Sequence, residues 1–362
     1  SPALRIATSH NSLGPQDSPW GYGWSTEHDQ KLEALPGEWV RWTGASGGQR
    51  VYKPNPLIPG SYIAPVNTYT KLLASTADGS GRPRFLLTEK DGTKTTFTRF
   101  LALGPYLPTL LEDRNGNTLA YTRSAEGVLS RVEDVHGRFL DLAYNAQGKV
   151  QSVTDSAGRA VTYGYDAATG DRVSESGPDG TTLFAYDAGH RIAAVTYPNG
   201  GRRVLAYDAK GRVLEEYDDE GPNTAKANRN TYAYYLSSNV VSDALGKATV
   251  YGYAQKQGLR RATLITREGV MLSSAGYDAR MNATALVDGA GNPTGYAYDG
   301  NGNVTGVSDA AQGVTLLSYE PAFNQPTSVT DPKGNPPTLL RYDLKGNLSE
   351  LEDADNKLTR MT

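Results

Sequence analysis

Cysteine is absent from this 362-residue chain. That excludes a disulfide framework and any thiolate metal site. It also fits an oxidising or extracytoplasmic destination. No stretch of about 18 consecutive apolar residues occurs, so the sequence offers no membrane-spanning helix. The opening residues, Ser1-Pro2-Ala3-Leu4-Arg5, do not read as a signal peptide. Charge is nearly balanced, with 36 Lys+Arg against 39 Asp+Glu. There is no long run of one sign, and nothing suggests the clustered basic face of a nucleic-acid binder. Phenylalanine is scarce: 6 Phe stand against 23 Tyr. A compact core would use more Phe. Tyr suits a surface packed at the ring and wet at the hydroxyl. All four tryptophans, Trp20, Trp24, Trp39 and Trp42, fall early.

What the chain does have is a beat. Tyrosine returns every 21 residues at Tyr144, Tyr165, Tyr186 and Tyr207, and again at Tyr277, Tyr298 and Tyr319. Aspartate follows most of them, as in Tyr165-Asp166, Tyr298-Asp299 and Tyr342-Asp343. A second marker, Asp-x-x-Gly, keeps the same period at Asp113, Asp134 and Asp155. A fixed period of this size means a repeat array. Arrays build surfaces and walls more often than catalytic centres.

Each unit reads as two short antiparallel strands and two turns. Val161, Tyr163 and Tyr165 alternate on one face, as do Leu140, Leu142 and Tyr144. Strict alternation marks a half-buried strand, and the aromatic and β-branched content agrees. The stretches Asp134 to Gly137, Asp155 to Gly158, Asp243 to Gly246 and Asp288 to Gly291 fit turns with Asp first and Gly where the backbone needs freedom. The first strand of each unit spaces its apolar residues three apart, as in Val150/Val153 and Val304/Val307, which predicts a bulge or a two-sided strand. About ten units give roughly twenty strands, too many for an open twisted sheet that does not coil or close. The candidate structural residues are Tyr144, Tyr165, Tyr186, Tyr207, Tyr253, Tyr277, Tyr298, Tyr319 and Tyr342, with Gly137, Gly158, Gly246 and Gly291. The beat stretches between Tyr207 and Tyr232, where a polar insert over 220–228 reads as a loop.

Residues 1–105 lack the Tyr-Asp beat but still read as β. They are expected to form a cap or first turn of the same wall, since terminal repeats are atypical. The aromatic run from Pro19 to Ser25 predicts an anchor built on Trp20 and Trp24. Residues 106–362 are expected to form the repeat wall of about ten units.

The recurring Tyr-Asp-x-x-Gly turn, followed by Asp-x-x-Gly and Tyr-x-Tyr-Asp, resembles the RHS/YD-repeat family. The segment from Gly14 to Ser25 is similar to the start of the RHS core in bacterial polymorphic toxins. The resemblance implies an all-β hairpin ribbon spiralling into part of a hollow shell. It implies a non-enzymatic scaffold that sequesters a C-terminal toxin domain until a secreted effector, here a type VI effector, is delivered. Implied partners are that toxin domain, the rest of the shell, a secretion spike of the VgrG/PAAR type and a chaperone. No cofactor is implied, and the localisation is secreted or delivered into a target cell. The family's self-cleavage segment, Asp-Pro-x-Gly-Leu, has no match. Asp331-Pro332-Lys333-Gly334 runs on into Asn335-Pro336-Pro337 and sits in phase as a repeat turn. The expectation is the front part of a shell, incomplete at its C-terminus. The alternative is a surface-recognition protein that binds glycans or cell-surface partners on its outer wall. An exposed aromatic patch around Trp20 to Trp42, or the 220–228 loop, would favour that alternative.

Catalytic signals are thin. Gly44-Ala45-Ser46-Gly47-Gly48 matches a hydrolase elbow, but it lies between β-like runs where the motif needs a strand-to-helix turn. His10, His28, His136 and His190 show no ligand spacing. His136 and His190 occupy turn positions and are expected to be solvated. Asp113-x-Asn115-x-Asn117 and Asp299-x-Asn301-x-Asn303 lack the glycine and glutamate of a calcium loop and read as turns.

Overall fold

The computed structural model describes residues 2–13, 16–44, 46–221, 226–256 and 258–361. Among them are 33 strands and one short 3-10 turn, Pro36–Glu38. Eight strands close into a barrel: β3 (Lys31–Ala34), β4 (Val40–Thr43), β5 (Gln49–Pro54), β6 (Ser61–Ile63), β7 (Lys71–Ser75), β8 (Arg84–Thr88), β9 (Lys94–Arg99) and β10 (Tyr106–Glu112). Closure comes from Tyr106 pairing with Leu32. Alternation fills the interior. In β8, Phe85 and Leu87 point in while their neighbours lie closer to solvent. They meet Leu32, Val40, Tyr52, Leu72, Phe97 and Tyr106. The N-terminal strands thus form a closed body, a feature no repeat spacing announces.

β10 is a branch point. Its first residues pair with β3 and β9, and its last three pair with β11 (Thr118–Arg123). A bulge between Pro108 and Leu110 separates the two halves. Proline cannot donate to a ladder, so it fits where pairing is interrupted. From β11 to β33 (Leu358–Arg360), each strand pairs antiparallel with the next. This meander is the repeat wall.

The bulge explains the three-residue spacing. Between β13 (Phe139–Tyr144) and β14 (Val150–Asp155), Leu142 pairs with Val153 and Ala143 with Ser152, yet Tyr144 pairs with Val150. One extra residue in the β14 strand brings Val150 and Val153 to the same face, where both are buried. The same step recurs where Tyr165 meets Arg172, Tyr186 meets Ile192, Tyr207 meets Val213, Tyr253 meets Ala262, Tyr277 meets Ala283, Tyr298 meets Val304, Tyr319 meets Pro326 and Tyr342 meets Leu348.

Most of the tyrosine hydroxyls are not wet. Seven of the nine reach back across the sheet to the bulge of the preceding unit, and among the described residues Tyr253 and Tyr319 do not. Tyr165 Oη donates to the Val150 carbonyl at 2.8 Å, Tyr186 to Arg172 at 2.7 Å and Tyr207 to Ile192 at 2.8 Å. Tyr277, Tyr298 and Tyr342 do the same to Ala262, Ala283 and Pro326 at 2.6–2.7 Å. A bulge leaves a carbonyl poorly served by the ladder, and the next tyrosine satisfies it.

The turns are built by aspartate. Asp155 Oδ1 accepts from the backbone N–H of Ala157 (3.0 Å) and Arg159 (2.9 Å), and Oδ2 accepts from Arg159 Nε (2.7 Å). Arginine fills that role again after Asp208, and asparagine after Asp299 and Asp343. Gly158 takes φ +81° and donates its N–H to the Asp155 carbonyl. Gly137, Gly246 and Gly291 hold equivalent positions, also at positive φ. Asp331 makes the same turn bonds to Lys333 and Asn335.

The ribbon winds back on its own beginning. Asn67 Nδ2 donates to the Met281 carbonyl (3.2 Å), Tyr69 Oη to Asn282 Oδ1 (3.1 Å), Lys90 Nζ to the Gly302 carbonyl (3.0 Å) and Asn324 Nδ2 to the Lys90 carbonyl (3.1 Å). Phe323 lies against Gly92 on one side and Gly346 on the other. One circuit from Lys90 to Gly302 spans β9 through β27 (Pro293–Tyr298), which is 19 strands. The returning wall meets the barrel turns tip to tip, mainly through side chains on turn carbonyls. Beyond residue 194 the wall is a single layer, and Met281 is its one buried apolar residue among those described.

Two outcomes follow. Tyr277→Phe removes one brace and should cost about 1 kcal/mol by urea denaturation. Tyr251→Phe, whose hydroxyl braces nothing, should change stability by less than about 0.5 kcal/mol. Equal losses would mean that the hydroxyl bond carries no weight. For acid, backbone N–H donors and then side-chain donors hold the Asp155 and Asp343 carboxyls below their ordinary range. Groups depressed in this way stabilise the fold fully above the unfolded carboxyl value of about 3.9, and that stability is lost as pH falls through the folded values. The far-UV circular dichroism of the wall should therefore hold to about pH 4 and then collapse. A double Asp155→Asn, Asp343→Asn variant should collapse less steeply, and an identical acid limb would refute the assignment.

Candidate functional site

Residues 4–13 and 16–30 form a strap outside the main sheet. β1 (Thr8–His10) and β2 (Trp24–Thr26) pair only with each other. The strap runs across one row of repeat turns. The Pro19 carbonyl accepts from Val150 N–H at 2.7 Å. Lys149 Nζ donates to the Ser18 carbonyl at 2.8 Å and pairs with Asp17. Gly21 lies on the backbone of Arg172, where a Cβ would sit 3.1 Å from its nitrogen, so glycine is needed for the approach. His10 Nε2 meets the His190 carbonyl at 3.2 Å, and Ser12 Oγ donates to the Gly211 carbonyl at 3.0 Å. These contacts fall on four consecutive units. Trp20 is buried edge-on to Tyr163, with ring centroids 5.6 Å apart. Both anchor tryptophans pack into the core that lines β11 to β19 (Arg202–Tyr207), together with Leu142, Val150, Val153 and Ile192.

The centre of the joint is Arg172 at the start of β16 (Arg172–Gly177), a side chain with no solvent exposure. Its guanidinium carbon lies 3.3 Å from the Trp24 ring centroid and 5.2–5.4 Å from those of Tyr163 and Phe184. Nη2 donates to Thr8 Oγ1 (3.1 Å) and stands 3.5 Å from Glu175 Oε2. Nε and Nη1 have no hydrogen-bond partner among the described residues. Burial lowers the pKa of this guanidinium, and Glu175 opposes the effect. Trp24 Nε1 donates to Tyr186 Oη at 2.8 Å, and that hydroxyl donates to the Arg172 carbonyl. Burial pushes the Tyr186 phenol up to about 12.

His190 corrects the expectation of a solvated turn histidine. Its Nδ1 is 2.9 Å from the buried Asp171 carboxylate, and its ring stacks on Tyr22 at 4.0 Å. His28 is also buried, between the Tyr121 hydroxyl and the Arg5 carbonyl. His136 is exposed in its turn. Gly44 to Gly48 closes the hairpin between β4 and β5, with Gly44 N–H bonded to the Gly48 carbonyl. Ala45 lies outside the described residues, as do Gly14, Pro15 and residues 222–225 of the 220–228 insert. A cavity of about 740 Å³ opens where strap, barrel and wall meet, lined by Trp20, Asp29, Lys31, Arg123 and Tyr144 among others. Burial raises the Asp29 carboxyl although Thr26 donates to it twice. Among the described residues no group of three or more His, Asp or Glu could hold a metal ion.

Sequence reasoning missed Arg172, Asp171 and His190. The signal was present. Arg172 occupies the bulge column that holds Val150, Ile192, Val213 and Val304 in other units, a charge where the repeat wants an apolar residue.

The family model for the RHS repeat matches residues 144–182, 168–203, 186–224 and 298–336. No curated protein sequence matches. Among solved structures, TcdB2-TccC3 without its hypervariable C-terminal region is 13% identical with a TM-score of 0.41, covering 91% of this chain and 22% of that one. TcdB2-TccC3 itself is 14% identical with a TM-score of 0.41, covering 87% and 22%. A Tc holotoxin pore from Photorhabdus luminescens is 12% identical with a TM-score of 0.36, covering 86% and 24%. The chain thus spans less than a quarter of the length of each.

The joint predicts an asymmetry. Trp24→Ala removes the lid over Arg172 and should cost roughly 3–5 kcal/mol. Arg172→Met keeps the volume and removes a buried charge that is only partly satisfied, so it should cost less than about 1 kcal/mol. Comparable losses in urea unfolding would show that the guanidinium carries the joint as much as the indole does.

Proposed function

We propose that this chain, built of RHS repeats, is part of an encapsulating shell, a scaffold rather than an enzyme. The observation that carries the reading is the circuit. A single-layer wall returns to the barrel from which it sprang, 212 residues on from Lys90, and meets it turn against turn, so the ribbon encloses space. Bare apolar side chains support it. Leu264, Leu272 and Leu316 stand 43–54% exposed on strands of that single layer, on the face opposite the repeat tyrosines. Apolar surface of this kind marks a face that something else covers. An enclosed polypeptide domain would cover it from within.

In the finer reading, the enclosed polypeptide is a toxin domain of a secreted bacterial effector, kept from its producer until delivery. The barrel and strap occupy one end of the enclosure. A type VI route, with a spike of the VgrG/PAAR type and a chaperone as partners, belongs to the same proposal. The recognition alternative draws no support from the strap aromatics, because Trp20 and Trp24 are buried.

The test uses the natural full-length protein. Denaturing mass spectrometry and limited proteolysis should reveal a co-purifying domain that resists digestion. Replacing Tyr277 and Tyr298 together by Ala should open the wall and make that domain digestible. A cargo that is digested at the same rate in both proteins would end the encapsulation reading.

A further inference from the structure

The strap meets the wall through side chains and a backbone hydrogen bond at Pro19, not through a ladder, and two imidazoles sit in that joint beside a buried guanidinium. We propose that the joint is an acid-released clasp: protonation of His10 lifts the strap from the four repeats it crosses while the wall beneath stays folded. This holds whatever the wall encloses.

The charges around His10 decide the matter. From the strap it faces Tyr22 and Trp24, with the Trp24 ring edge-on at 5.3 Å. From the wall it faces Asp171, Arg172, Tyr186 and the His190 carbonyl. Two carboxylates belong to the joint. Asp171 is bonded to His190 Nδ1 at 2.9 and 3.1 Å, and Glu175 faces Arg172. Among the described residues no carboxylate is hydrogen-bonded to the His10 ring. A proton arriving there places a second cation next to a guanidinium that already lacks partners among those residues for two of its nitrogens. An uncompensated buried charge is costly.

The other imidazole behaves differently. Protonated His190 keeps its ion pair with Asp171 and its stack on Tyr22. Charging it does not break the joint.

The sign is consistent with release on acidification. Burial holds His10 below its ordinary value of 6.5 against the pull of the His190 carbonyl; Arg172 adds to the lowering, while Asp171 and the Tyr22 backbone oppose it without reversing it. A base depressed in the docked state favours docking when neutral. Docking is therefore at full strength above the ordinary value and weakens as pH falls through the docked one. The turn aspartates remain ionised over that range, because their values lie below about 3.9. The clasp opens first and the wall fails later.

Tryptophan reports the event directly, since two of the chain's four indoles lie in the strap. Emission is followed from about pH 7.5 to 4.5, the span in which an imidazole titrates, with far-UV circular dichroism and hydrogen-exchange mass spectrometry of residues 8–26 alongside. The expected result is a red shift and faster exchange in the strap with an unchanged β signal. His10→Gln should abolish the transition, and His190→Gln should retain it. Unchanged emission and exchange down to about pH 4.5, or a transition that survives in His10→Gln, would overturn the proposal. If His10→Gln is already undocked at neutral pH, Arg172→Met decides. Without the neighbouring cation the clasp should hold to lower pH, and release at the original pH would refute the mechanism.

Discussion

The hydroxyl of a tyrosine reaching the carbonyl of a bulge fifteen residues back is the interaction on which the wall depends. A bulge bends its strand and adds twist. Repeated once per unit, it turns a flat meander into a curved ribbon. The same bulge puts two apolar residues on one face and leaves a carbonyl in need of a donor. Tyrosine serves both ends of that arrangement, with its ring in the apolar column and its hydroxyl on the carbonyl. Phenylalanine would fill only the first role, which accounts for its rarity here.

The local part of this architecture was legible in the sequence. The 21-residue beat, the aspartate turns and the alternation of Tyr163 and Tyr165 each report a neighbour-to-neighbour interaction, and such interactions leave a periodic trace. The three-residue spacing of Val150 and Val153 even pointed to the bulge. Features that join distant parts of the chain left no such trace. Closure of the barrel rests on one pairing, Tyr106 with Leu32. The joint at Arg172 brings together residues more than 160 positions apart. A histidine in a turn looks solvated until the segment that covers it is known. Only the arginine in an apolar column stood out, as a local violation that a distant partner resolves.

Strap and barrel both cover the turn edge of the ribbon. Over repeats up to Gly211 the strap does so, and from Met281 onward the barrel loops at Asn67, Lys90 and Gly92 do so. Backbone groups and glycines at the turn tips, such as Gly211 and Gly302, make the contact in both stretches. The same edge chemistry therefore serves two different covers.

The turn-to-turn seam has a further consequence. Because circuits join through repeated tips rather than a continuous ladder, neighbouring circuits have no strand register to preserve. One 21-residue unit adds two strands, about 10 Å, to the girth. Inserting or deleting a whole unit shifts the seam by one tip and presents much the same chemistry to the circuit beside it. Girth therefore changes in whole-unit steps, and enclosed cross-section grows with the square of the unit number. At 19 strands a circuit measures on the order of 90 Å around. Internal capacity is in this sense a counted quantity, set by how many units the gene carries between one tip and the tip it meets.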